Sequence, residues 1–177
     1  PSGKLHVDCH LAAAPDAPEI PRLGMRFRLP AAYERLEYFG RGPVENYCDR
    51  NSGSLVGRYR STAGEQYTAY TRPQENGHKT DSRWLALTNG DGKGLLIVAD
   101  SNLMEFNALR NSVEDFDAEE SDRPYQWHNF EKGESHDPLK ARNRMPKQTH
   151  INDITPRDFV EVCVDHRMTG VAGDDSW

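Results

Sequence analysis

Trp84-Leu85-Ala86-Leu87-Thr88-Asn89-Gly90-Asp91-Gly92-Lys93-Gly94-Leu95-Leu96-Ile97-Val98-Ala99 decides the fold class. Two short apolar runs flank Asn, Gly and Asp, the residue types that most readily adopt the backbone angles of a tight reversal. That arrangement predicts a β-hairpin. Working outward, Leu103, Met104 and Phe106 extend the β pattern downstream, and upstream Leu36 to Phe39 reads as a strand entering a turn at Gly40-Arg41-Gly42-Pro43. Further upstream, Leu23, Met25, Phe27 and Leu29 alternate with Gly24, Arg26 and Arg28 until Pro30 stops the run. Period-two alternation gives a strand with one apolar and one basic face.

Near the C-terminal end, Val160, Val162 and Val164 share one side of a further strand, with Phe159, Glu161, Cys163 and Asp165 on the other. Leu5, Val7, Cys9 and Leu11 alternate with Lys4, His6, Asp8 and His10 in the same way, which predicts a first strand before the Pro- and Ala-rich loop Ala12 to Pro21. A strand would turn the Cys9 thiol away from His6 and His10, so a polar strand face is favoured there over a metal site. The tyrosine-rich stretch through Tyr47, Tyr59, Tyr67 and Tyr70 reads as irregular. Ser112 followed by Glu114 and Asp115 marks the start of a short helix. Asp117 to His150 is highly charged, poor in aliphatic residues and broken by Pro124, Pro138 and Pro146, which reads as a long exposed loop. Its His128, His136 and His150 match no metal-ligand spacing. Strands dominate and no βαβ alternation occurs, so the chain is expected to be an all-β antiparallel sandwich.

The 177 residues suit one domain, and a formal charge of −6 argues against a nucleic-acid partner, which would need clustered Lys and Arg. Cys9, Cys48 and Cys163 are far apart and form no CxxC pair, so they read as isolated thiols. No apolar run is long enough to span a bilayer, and the first residues lack the order of a signal peptide, so no membrane role is expected and the compartment stays open.

Three stretches carry a resemblance. Tyr38-Phe39-Gly40-Arg41-Gly42-Pro43-Val44-Glu45-Asn46-Tyr47-Cys48-Asp49-Arg50, Pro73-Gln74-Glu75-Asn76-Gly77 and Gly173-Asp174-Asp175-Ser176-Trp177, in that order, resemble the last domain of bacterial glycoside hydrolase family 2 β-galactosidases. The resemblance covers most of residues 1–177, departs from the family pattern over residues 117–150, and implies a large galactose-mutarotase-like supersandwich whose N-terminal part lies upstream of Pro1. It also implies that the two catalytic carboxylates sit on a preceding (β/α)8 barrel, so no catalytic residue is expected here. Magnesium and sodium would be held mainly by other domains, leaving no cofactor for this chain. The implied partners are a galactoside or aglycone sugar, the remaining domains, and further subunits of a homo-oligomer; the implied parent is cytoplasmic or periplasmic.

By the same resemblance Trp177 matches a tryptophan presented to the mouth of the active site. An indole face covers the C–H side of a pyranose and its N–H stays free for a hydroxyl. The residue by itself reads more readily as a core tryptophan at the edge of the sandwich, a preference that the resemblance reverses. Asp174 and Asp175 are able to bond sugar hydroxyls, yet Asp after Gly more often shapes a turn, here the one carrying Trp177. Arg41, Glu45, Asn46, Asp49, Arg50, Glu75 and Asn76 read as loop-tying residues, which would need to be partly buried to matter. Two other readings stay open: a stand-alone carbohydrate-binding module, and an aldose epimerase using a His and a Glu at the anomeric centre.

Overall fold

The computed structural model describes residues 3–17, 20–71, 73–116 and 151–169. Their eight strands are β1 (Arg22–Pro30), β2 (Arg35–Gly42), β3 (Leu55–Thr62), β4 (Lys79–Ser82), β5 (Trp84–Thr88), β6 (Gly94–Val98), β7 (Met104–Leu109) and β8 (Phe159–Met168). They form two four-stranded sheets, ordered β1-β8-β7-β4 and β3-β2-β5-β6, in which every neighbour is antiparallel. This is the expected all-β sandwich. Leu36, Tyr38, Leu85 and Leu87 of one sheet meet Met104, Phe106, Ala108, Val160 and Val162 of the other in a single core. Across it, the rings of Tyr38 and Phe106 pack edge to face at 5.2 Å, a favoured aromatic geometry. No helix among the described residues is long and apolar enough to cross a membrane.

The hairpin is β5 and β6, with Trp84 opposite Val98 and Thr88 opposite Gly94. Its turn is held by Asn89, whose Oδ1 accepts the N–H groups of Asp91 and Lys93, each at 3.0 Å. Asn89→Ala is expected to lower stability by about 1 kcal/mol, the usual net worth of such bonds at an exposed turn. Urea titration would register this as an earlier midpoint at unchanged slope.

Three expectations are corrected. Residues 4–11 form no strand: they are exposed coil, with Leu5 87%, Val7 49% and Leu11 57% accessible. Alternation defines a face but supplies no partner for backbone N–H and C=O groups, and no described strand pairs with this segment. The Gly40 to Pro43 turn is instead the end of β2, which runs on to Gly42 and meets Pro43 through a cis peptide. Its glycines answer to close packing: a Cβ on Gly40 would lie 3.0 Å from Ser82 Cα, and one on Gly42 would lie 2.9 Å from the Tyr59 ring. Finally, the tyrosine-rich stretch is not irregular throughout, because β3 lies within it and pairs with β2 from Leu55 to Thr62. The short helix after Ser112 is present as one 3-10 turn, Val113–Phe116.

Candidate functional site

Strand β8 turns Val160 and Val162 into the core, so Glu161, Cys163 and Asp165 face the opposite side of their sheet. All three are nonetheless buried. Buried charges require partners, and the register supplies them by setting Arg28 opposite Glu161 and Asn107 opposite Cys163. Arg28 Nε donates to Glu161 at 2.8 Å. Arg22 grips Asp165 with Nε at 3.0 Å and Nη2 at 2.7 Å, reaches Asn107 Oδ1 at 2.9 Å, and lies 3.2 Å from Glu75. Asn107 Nδ2 in turn donates to Glu75 at 2.6 Å. His78, fully buried, places Nδ1 2.6 Å from Asn107 Oδ1 and Nε2 3.0 Å from Glu105, and stacks on Tyr47 at 5.1 Å.

The electrostatics follow from this geometry. Burial works against the charge of Arg22, but its bond to Asp165 and the charges of Glu75 and Asp165 more than offset that and raise its pKa. Burial pushes the Glu75 carboxyl above the usual range despite the opposing pull of Arg22 and His78. Burial also pushes the Cys163 thiol up to about 12, which makes it inert at neutral pH. Retaining glycoside hydrolysis needs two carboxyl groups about 5 to 5.5 Å apart across a sugar. Here the carboxylates of Asp165 and Glu75 converge on a permanent cation, and the cavity beside Glu75 and Asn107 is about 10 Å³, room for one water at most. The cluster ties β1, β7, β8 and the 73–78 loop together and offers no place for a substrate.

The loop-tying reading of the two internal motifs holds for Arg41, Glu45, Asn46, Arg50, Glu75 and Asn76, while Asp49 is exposed. Asn46 is fully buried; its Nδ2 donates to the carbonyls of Arg41 and Val44, each at 3.1 Å, and its Oδ1 accepts from Thr80 N at 2.9 Å and Thr80 Oγ1 at 2.6 Å. Arg41 pairs with Asp81, and Arg50 donates to Glu45 at 2.9 Å. Although burial opposes its charge, the hydroxyl of Tyr70, the N–H of Gly77 at 2.7 Å and the charge of Arg50 hold Glu45 below the usual carboxylate range. Asn76 accepts the N–H of Thr68 at 3.0 Å.

A second feature lies on the side of the sandwich where β3 and the 43–45 loop meet. There a cleft of about 420 Å³ opens, and Lys79 lines it together with Tyr38, Tyr59 and Glu45. Sequence reasoning singled out neither Lys79 nor the cluster of Arg22, His78, Asn107 and Asp165, since only strand pairing brings these residues together. Trp177, Asp174 and Asp175 lie outside the described residues, as does the whole 117–150 stretch. Cys9, His6 and His10 sit in exposed coil. Among the described residues no three His, Cys, Asp or Glu side chains stand together so as to hold a metal ion.

Comparison with known proteins gives a consistent result. A family model described as "Beta galactosidase small chain" matches residues 1–177. The chain is 36% identical over 175 residues to a β-galactosidase of Priestia megaterium, and 31% identical over 174 residues to one of Vibrio cholerae. The matches take in 99% and 98% of this chain but 14% and 13% of those proteins. A third relative, β-galactosidase BgaC of Bifidobacterium adolescentis, is 31% identical over 92% of the chain. The chain therefore spans about a seventh of the length of these relatives, 14% of the first.

Proposed function

The chain belongs to the β-galactosidase small-chain family, and from that premise we propose that it is a non-catalytic part of a retaining β-galactosidase that hydrolyses terminal β-D-galactosides such as lactose. Its work is to complete a supersandwich and to present Trp177, steadied by the turn at Asp174 and Asp175, to the sugar at the mouth of an active site built by other domains. One observation carries the reading: the buried carboxylates of the described sandwich are committed to arginines or to backbone N–H groups, so none stands ready as nucleophile or proton donor. The aldose epimerase reading gains nothing from His78, the one histidine within the buried cluster, since both its ring nitrogens are engaged and it has no access to solvent.

The isolated chain is expected to give no turnover of a chromogenic β-galactoside, and hydrolysis that persists through stringent purification refutes the non-catalytic reading. In the full-length enzyme, Trp177→Ala is expected to weaken sugar binding and acceptor use about tenfold, some 1.4 kcal/mol, while the fold survives. Unchanged kinetics with several acceptors would remove Trp177 from the substrate path.

A further inference from the structure

We infer that the cleft in front of Lys79 is a second binding site, taking an uncharged polyhydroxylated molecule of pyranose size. The Lys79 side chain is 1% exposed and donates one hydrogen bond, from Nζ to Gly77 O at 3.0 Å. An ammonium carries three N–H groups. Among the described residues the other two have no acceptor, and Lys79 lines a cleft of about 420 Å³. Buried donors are nearly always satisfied, by protein, water or ligand, and this volume falls in the range of small-molecule sites.

The walls select the ligand. Lys79 and Arg60 balance Glu45 and Glu65, so the lining is formally neutral and gives an anion no advantage. Glu45 is in any case occupied by Arg50, Tyr70 and Gly77. The apolar wall is the half-buried ring of Tyr59, which is backed at 5.4 Å by the buried ring of Tyr38. Short polar groups come from Ser61, Thr68 and Gln66. A molecule that is polar around its edge and apolar on its face, and that accepts hydrogen bonds from an ammonium, fits all three. Burial pulls the Lys79 amine down to about 8, so it is still mostly protonated, and able to donate, at neutral pH. The choice of a pyranose among such molecules rests on the proposed function; the cleft and its unused donors do not.

The test is NMR of the chain with labelled lysine, titrated separately with galactose, glucose and myo-inositol. Galactose is expected to shift the Lys79 side-chain signals saturably and to raise the pH at which they titrate. Lys79→Met, which keeps the length of the side chain and leaves the fold intact by circular dichroism, is expected to weaken binding at least tenfold, whereas Trp177→Ala leaves it unchanged. Absence of any shift with all three probes, or binding that Lys79→Met does not weaken, overturns the site. Binding of inositol without galactose upholds the cleft and removes its connection to sugar, and sensitivity to Trp177→Ala in place of Lys79→Met assigns the binding to the site of the proposed function alone.

Discussion

Arg22→Met is expected to destabilise the chain by about 3–5 kcal/mol, the range for removing one partner of a buried ion pair. The side chain is three-quarters buried, 23% accessible, and Asp165 beneath it is 2% accessible. Methionine fills much of the volume but leaves Asp165 without its two bonds from Arg22 and leaves Glu75 without the larger of its counter-charges. Arg22→Lys is expected to recover only part of the loss, because an ammonium cannot span both Asp165 oxygens while also reaching Asn107. The sign with pH is distinctive. Burial already raises the Glu75 carboxyl, and without Arg22 it binds its proton still more tightly folded than unfolded, so the variant gains stability as pH falls through that raised pKa. Denaturant unfolding from pH 7 down to 5 should therefore show the gap from wild type narrowing. A gap below about 1 kcal/mol at pH 7, or one that widens on acidification, contradicts the assignment.

That network also marks the limit of what the sequence discloses. The hairpin at Asn89 to Gly94, β1 and β8 were legible because alternation and turn chemistry are local properties. Strand β3 was not, since Gly57, Arg58 and Arg60 blur its alternation and its order comes from pairing with β2. Residues 4–11 erred in the other direction, with strand periodicity but no described neighbour to bond. The same asymmetry governs the polar residues. Glu45 and Arg50 lie in one dense loop, so their mutual tie could be foreseen. Arg22 and Asp165 are 143 positions apart, and nothing short of the β1 to β8 register predicts that they touch. Lys79 was hidden for a related reason: a lysine between polar neighbours reads as solvated, and only the packing of Lys79 opposite Phe106 turns it inward.

Lys79→Met is accordingly expected to stabilise the chain at neutral pH, by about 2 kcal/mol. Burial lowers the Lys79 pKa from 10.5 to about 8, and at roughly 1.4 kcal/mol per unit the folded state carries a penalty on the order of 3 kcal/mol for holding the charge. Loss of the bond to Gly77 O returns about 1 kcal/mol of that gain. The pH dependence separates this cause from simple packing. Between about pH 8 and 10.5 the folded amine is neutral while the unfolded one is still protonated, so the unfolded state binds more protons and wild-type stability rises with pH. The methionine variant has no such slope. Its advantage is expected to be full below pH 8, to shrink through that window, and to give way above pH 10.5, where both states of the wild type are neutral, to a deficit of about 1 kcal/mol from the lost bond to Gly77 O. Guanidinium unfolding at unit steps from pH 7 to 10 measures it; destabilisation at pH 7, or a difference flat across the window, defeats the argument. A residue whose charge weakens the fold that carries it, and whose removal is a gain, has the signature of a group retained for binding rather than for stability.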